Sequence, residues 1–368
     1  MTFRFEPVET RRDLRAFLAL TGRVYGADPR HVPVPRQQIR GWFRGQAPAV
    51  RLYVLRDGRS GEVAARTTLH TDADLDAKLG RSVQLFGLTE FTDQSGVSEA
   101  LFDAIIAAGR TGGKAGAFGP VALLPNQAGG VITSGFDDRG FIDSAWNHPY
   151  YPAAYESYGF ARRFEADTWI CPTTQDPDKI FAFDDARISA EDLALHRGDR
   201  KHVGEQLPIL RELLNASFAQ LGYYTEISAG QLARQTEGLA YLLDESLLLY
   251  LTKSGRPIAF VLCLPDISEY VVSVRGNLNA INQLRLLATR SRYRREAVLI
   301  IKGTVPDEQG HGYMRLLSRE LLRNLRTNGY EAMRSTYVER TNPGSVAQYV
   351  AMDGRPLHGY TFYEKDLT

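Results

Sequence analysis

GTVPDEQGHGYMRLL, residues 303–317, decides how the rest of the chain is read. An apolar strand, AVLIIKGTV (297–305), runs into a loop with two glycines. The loop runs straight into a helix with Met314, Leu317, Leu321 and Leu325 at helical spacing. The first amides of a helix have no partner within it, and the macrodipole adds partial positive charge there. Glycine lets an anion approach the backbone and permits left-handed dihedrals. Together these features make an anion site, most often one for phosphate. The plainer reading of Gly-x-Gly before a helix is a structural loop.

Outward from this segment, the helix Tyr313–Arg326 stops at Asn328-Gly329, a left-handed cap. Strand 331–339, a short helix Ser345–Met352 and a last strand 357–365 follow. Upstream lie a helix (204–219) and a hairpin (246–266) turning at Ser254-Gly255. The first half has the same order. Strand 3–8 and helix 11–25 lead to a hairpin of 51–56 and 61–69 about Asp57-Gly58, a strong turn signal. Strand 83–91, helix 98–108, strand 115–124, a short helix 152–160 and strand 162–172 complete it. Residues 173–200 are polar and irregular, with room for one short helix, and mark a junction. The reading is a duplicated α+β fold with mixed sheets, in domains 1–175 and 176–368. A chain of 368 residues suits about two domains.

With 43% apolar and 24% charged residues, the composition is that of an ordinary globular protein, not a disordered or disulfide-stapled one. Lys+Arg 44 against Asp+Glu 43 removes any global drive toward nucleic acid or an anionic membrane, though a local patch can supply one. Cys171 and Cys263 sit in separate apolar runs and read as buried, reduced thiols. The N-terminus carries no apolar signal segment, and no run approaches the ~20 apolar residues that span a bilayer. A cytoplasmic protein without a membrane partner is the expectation. No Cys/His spacing suggests a metal, and no Walker loop or nucleophile elbow is present.

Strand, V-P-x-x-Q-G-x-G and helix resemble the coenzyme A loop of the GCN5-related N-acetyltransferase (GNAT) superfamily. Gln309, Gly310 and Gly312 match its Gln/Arg-x-x-Gly-x-Gly/Ala pattern, and Met314 stands where a small residue is usual. Asn342-Pro-Gly-Ser345-Val-Ala-Gln-Tyr349 resembles the family's N-x-x-A-x-x-L-Y stretch, and AYESYGF (154–160) echoes L-Y-E-K-x-G-F. The resemblance is good over about 245–368 and faint over 1–170. The first half, whose helix starts from TDQSGVSEAL, has the look of the same fold with the cofactor loop lost.

The resemblance implies tandem acyl-CoA N-acyltransferase-like domains and transfer of an acyl group, acetyl first of all, from an acyl-CoA thioester to a small-molecule amine. It implies donor contacts at Thr304, Val305, Gln309, Gly310, His311, Gly312, Tyr313, Met314, Asn342 and Ser345. Asn342 would orient the pantetheine arm, and Tyr349 would protonate the leaving thiolate. Two alternatives remain: the same fold taking its acyl group from aminoacyl-tRNA or a carrier-protein thioester, and a ligand-binding module without catalysis.

The family's frequent glutamate base is missing from strand 297–305. Lys302 stands in that strand and reads as outward-facing; Asp266 and Glu269 are candidate bases or turn residues. Arg285, Arg290, Arg292, Arg294 and Arg295 form a basic cluster, and Arg315, Arg319, Arg323 and Arg326 follow one helix face. Both read as solvated arginines, or as contacts to a CoA phosphate, an acyl-carrier protein or tRNA. WNHPYYPAAY (146–155), with His148, reads as packing or as an acceptor-pocket wall.

Overall fold

The computed structural model describes residues 2–46, 50–121, 129–236, 243–293 and 295–368. In chain order the strands are β1 (Phe3–Pro7), β2 (Arg51–Asp57), β3 (Val63–His70), β4 (Val83–Phe91), β5 (Gly116–Gly119), β6 (Val131–Ser134) and β7 (Ala161–Pro172). They continue with β8 (Leu193–Arg197), β9 (Leu248–Lys253), β10 (Arg256–Pro265), β11 (Glu296–Thr304), β12 (Ala332–Ser335), β13 (Val338–Glu339) and β14 (Arg355–Asp366). The helices are α1 (Arg11–Tyr25), α2 (Arg36–Phe43), α3 (Ala73–Leu79), α4 (Val97–Thr111), α5 (Tyr150–Ser157), α6 (Pro177–Ile180) and α7 (Ala186–Ala190). Then come α8 (Val203–Phe218), α9 (Ala229–Gln235), α10 (Ser268–Ser273), α11 (Ala280–Thr289), α12 (Tyr313–Thr327) and α13 (Pro343–Ala351).

The chain forms two compact units. One holds Met1–Ala166, Ser268–Gln283 and His358–Thr368; the other holds Asp167–Ile267 and Leu284–Leu357. The first boundary falls nine residues before the 175/176 division read from the sequence, and two later segments pack with the first unit. In that unit β1, β2, β3 and β4 are antiparallel neighbours, β4 and β5 are parallel, and the C-terminal β14 pairs with β5 and β6. In the second unit the end of β7 pairs with β12, β11 and β12 are parallel, and β10, β9 and β8 continue antiparallel. Both units therefore have the order helix, hairpin, strand, helix, parallel strand. The expectation that the C-terminal strand belongs to the second half is corrected: its register partners are Ser134 to Val131 and Gly119 to Gly116.

The hydrophobic pattern explains these elements. In α12, Leu316, Leu317, Leu321, Leu322 and Leu325 are buried along one face and pack on Ile258, Val261, Leu249 and Leu251 of the hairpin. Burial of each such leucine stabilises by about 2 kcal/mol. The helix ends at Asn328, Gly329 takes φ +77°, and the Tyr330 amide donates to the Leu325 carbonyl at 2.9 Å. α1 begins with a capping box, Thr10 and Asp13 each bonding the other's backbone amide.

Several elements escaped the sequence reading. β8 and the short helices α6 and α7 lie in the stretch read as irregular. α2 starts directly after Pro35 in a proline-rich stretch, and α3, α10 and α11 are too short for a clear periodicity. The strand expected over 115–124 is seen as β5; residues 122–124 and Arg294 lie outside the described residues. Among the described residues no helix is long and apolar enough to cross a membrane.

Candidate active site

The glycine loop is anchored at both ends. The Val305 amide donates to the Ile258 carbonyl at 2.9 Å, which uses it in the sheet, and its side chain is buried. Gln309 Nε2 donates to the Thr304 carbonyl at 3.1 Å and closes the loop. Gly310 and Gly312 have φ of +82° and +81°, and a Cβ on either would meet no atom within 4 Å. The backbone, not crowding, requires glycine there, and the space in front of it is open. α12 starts after Gly312 with no side-chain cap and no acid in its first turn. Among the described residues the amides of Gly310, His311, Gly312, Tyr313 and Met314 find no acceptor. Five unpaired donors at the positive end of a fifteen-residue helix fit a phosphate group.

Ion pairs hold the surroundings. Arg256 binds Asp307 at 2.7 Å and keeps its carboxyl below the usual range; Lys253 binds Glu308 at 3.0 Å. The two loop acids are thereby neutralised. The Tyr313 ring is buried and its hydroxyl donates to Glu191. Arg187, at 2.5 Å, and Tyr313 hold the Glu191 carboxyl down to about 2. Arg187 also donates to the His311 carbonyl at 3.1 Å, while the His311 ring is exposed and stacks on Tyr313 at 5.7 Å. The Met314 side chain packs against the core.

β11 and β12 are in register only from Glu296–Ala332 to Leu299–Ser335. The Thr336 amide then donates to the Leu299 carbonyl (3.1 Å) and its Oγ1 to the Ile300 carbonyl (2.7 Å). Beyond this the strands part, and among the described residues Ile301 to Thr304 have a strand neighbour on the β10 side alone. The resulting cleft opens toward the glycine loop. It contains the residue that the sequence reading turned outward. Lys302 donates through Nζ to Gln348 Oε1 at 2.7 Å and lies 4.4 Å over the Tyr349 ring. Leu299, Ser318, Leu321, Met333 and Met352 line the same cavity, about 310 Å³ including its mouth. Burial in this apolar setting lowers Lys302 to about 8. A lysine inside an otherwise apolar strand was the available signal.

The α13 residues fall on two sides. Asn342 caps the helix, its Oδ1 accepting from the Ser345 amide at 3.1 Å, and Asn342 is exposed. Tyr349 is buried, stacked on Trp169 at 5.8 Å, and burial pushes its phenol well up. Gly354 lets the backbone close over it: a Cβ there would lie 2.4 Å from Cys171 Sγ and 2.7 Å from the Tyr349 carbonyl. Cys171 and Cys263 are buried free thiols, and burial raises Cys171 to about 12.

Other candidates have structural partners. Arg319 is buried and binds Asp185 at 2.5 Å, Arg323 binds Asp178 and Glu320, and Arg326 donates to the Gln175 carbonyl at 3.0 Å. These three fasten residues 175–185 to α12 and are not a free basic face. Arg315 is exposed. Asp266 is buried 3.9 Å from Arg334, which also binds Glu296 at 2.7 Å; Glu269 lies in α10. The 146–155 segment packs inside the first unit. His148 stacks on Tyr25 (5.2 Å) and Tyr150 (5.6 Å) and hydrogen-bonds the Val24 carbonyl at 2.8 Å, while Trp146, Tyr151 and Tyr155 are buried.

No family model matches the chain. The chain is 22% identical over 370 residues to Protein YghO of Escherichia coli strain K12, covering 97% of this chain and 94% of that protein. It is 22% identical over 377 residues to the bacterial ceramide synthase of Caulobacter vibrioides, covering 98% and 97%. Among solved structures it is similar to a tandem GNAT protein from the clavulanic acid biosynthesis pathway, with TM-score 0.59, 14% identity and coverage of 100% and 99%. The glucosamine N-acetyltransferase region of a fungal multi-domain β-N-acetylglucosaminidase matches with TM-score 0.60 and 16% identity; 99% of this chain spans 38% of that one. A GCN5-related N-acetyltransferase from Sphaerobacter thermophilus matches with TM-score 0.54, 11% identity and coverage of 99% and 96%. The parallel strand pair in each unit, the glycine loop before α12 and these likenesses agree on the architecture: the chain has the fold of tandem GCN5-related N-acetyltransferases.

Proposed function

We propose that the protein is an N-acyltransferase that takes an acyl group from an acyl-CoA thioester, with its donor site in the second unit. The observation that carries this reading is the open glycine loop with unpaired amides at the start of α12, beside the cleft between β11 and β12. The amides of Gly310 to Met314 suit the donor's pyrophosphate, with Gln309 holding the loop shape. Asn342 and Ser345 stand at the exposed start of α13 and suit a contact with the pantetheine arm.

In this reading the neutral amine nitrogen attacks the thioester carbonyl carbon, the C–N bond forms and the C–S bond breaks. The departing sulfur keeps the bonding pair and needs a proton. Lys302 suits that task better than Tyr349. Its acidity lies near that of a thiol, whereas burial makes the Tyr349 phenol a far weaker acid. Tyr349 then steadies the ammonium with its ring face, and Gln348 aims it. The proton surplus on the new amide nitrogen restores Lys302. One likeness supports a reading of the acceptor. A relative matched along nearly its full length is named a ceramide synthase, and a ceramide is the amide of a lipid amine. A lipid-borne amine is the acceptor class this favours.

Thermal unfolding with acetyl-CoA and longer acyl-CoAs tests the donor site. Ligand at a hundred times Kd adds about 2.7 kcal/mol, a rise of roughly 3 °C or more. An unmoved transition at millimolar donor sinks the proposal. Release of free thiol on adding an amine separates catalysis from binding alone.

A further inference from the structure

Residues 270–295 contain six arginines and no acidic residue, in a chain whose net charge is only +1. α11 lies within this stretch. Ile281, at 75% exposure, and Leu284, at 67%, are among the most exposed large apolar side chains in the described residues. At 100° per residue, Ile281, Leu284, Arg285 and Ala288 share an arc of about 100°, and all four are exposed. The opposite face is committed to the fold: Leu286 is buried. The N-terminal end is anchored, because Tyr270 Oη donates to the Asn282 carbonyl at 2.5 Å and Asn282 Nδ2 to the Asn277 carbonyl at 2.6 Å. The outward arc is therefore held in place.

The arginines beside it lack carboxylates. Arg285, Arg290 and Arg292 are exposed and make no ion pair among the described residues; only Arg295 does, with Glu331 at 3.4 Å. The chain passes from one unit to the other within α11, but the surface in question is the outward face of this one helix and the turn after it. We infer that α11 and the turn following it dock the protein on an anionic lipid surface, with Ile281 and Leu284 entering the headgroup boundary and Arg285, Arg290 and Arg292 meeting phosphate groups. Charge complementarity selects the occupant, and the shape of the apolar residues narrows it. Aliphatic side chains that protrude from a convex helix enter a fluid layer, whereas nucleic acid offers them nothing apolar to enter and a folded protein would need a matching groove. Two apolar contacts alone bind weakly, and a basic patch beside them supplies the second signal that stable peripheral binding requires.

Co-sedimentation of the full chain with vesicles tests this, using phosphatidylglycerol mixed into phosphatidylcholine against pure phosphatidylcholine. Neither donor nor amine is added, so failure of the acyltransferase reading leaves the result standing. The chain is expected to partition onto the anionic vesicles and to leave them as salt rises. R285Q/R290Q/R292Q should weaken partition about a hundredfold, roughly fivefold for each arginine. I281S/L284S should weaken it on the order of tenfold without changing the salt dependence. All five positions are exposed, and unchanged unfolding temperatures confirm intact variants. Equal partition on both vesicle types, or partition that both variants leave unaltered, overturns the proposal. So does capture of an acyl-carrier protein or RNA through these residues with no vesicle binding.

Discussion

The two units contain the same strand–loop–helix segment twice, and the two copies differ in how open they are. Each helix begins after a left-handed glycine with no side-chain cap: Gly96 at φ +78° before α4, Gly312 at φ +81° before α12. In the first copy Gly96 has near neighbours. A Cβ there would lie 3.7 Å from Glu99 Oε2 and 3.7 Å from the Phe3 ring, ordinary contact distances, and Glu99 places an acid in the first turn of α4. In the second, both glycines face open space and the first turn has no acid. The parallel strands differ likewise. β4 and β5 stay close beyond their three register pairs: the Val121 amide donates to the Phe86 carbonyl at 2.8 Å. A Cβ on Gly87 would lie 1.6 Å from the Val121 carbonyl oxygen. β11 and β12 part after Thr336 and leave room for Lys302. Backbone contact closes the cleft in one copy, and a partly buried lysine stands in the other.

Five substitutions test the comparison. Lys302→Met should lower kcat about a hundredfold or more, the usual scale for losing an acid catalyst, while Tyr349→Phe, which keeps the ring, should cost far less. The wild-type rate should fall above about pH 8 as Lys302 loses its proton, and the Met variant should lack that limb. An unchanged rate in Lys302→Met removes the lysine from the chemistry. Stability gives an independent readout. Folding lowers Lys302 from 10.5 to about 8, so the cost of burying its charge is fully present below pH 8. Between about 8 and 10.5 the unfolded chain binds the extra proton, and stability rises with pH. Lys302→Met should accordingly unfold at a higher temperature than wild type at pH 7, a gain that shrinks toward pH 10.

Gly87→Ala comes next, at roughly 3 kcal/mol of lost stability, because strand backbone, not a flexible side chain, blocks the new methyl. A near-neutral result in chemical denaturation would mean the first cleft can open. Gly312→Ala should cost about 1–2 kcal/mol from its left-handed backbone alone, together with weaker donor binding in a thermal-shift titration. Glu99→Gln should have the smallest effect. Losing its charge from the first turn of α4 should cost about 0.5 kcal/mol and leave donor affinity as it was. Tighter donor binding in that variant would show a second anion site in the first unit.

The second unit was largely legible before any coordinates. Strand β11, the loop, α12 and its Gly329 stop follow from hydrophobic period and cap chemistry, which act over a few residues. The first unit's hairpin at Asp57-Gly58 was legible for the same reason. Arg319 and Arg323 were not: on the helical wheel they resemble a solvated face, but Asp178 and Asp185, over 130 residues away in sequence, bind them. Lys302 was misread because strand alternation cannot foresee that β12 departs and exposes a cleft edge to be filled.

Local sequence therefore determined the two repeated orders of elements and the glycine loop, because periodicity, turns and caps are short-range. It also determined the acid-free arginine stretch, which is simply counted. Tertiary structure alone decided that residues 358–368 complete the first unit and residues 167–172 the second, since strand pairing joins residues far apart in the chain. It alone decided which of two similar clefts is closed. That choice depends on how near two backbones approach, and glycine permits a close approach without requiring it.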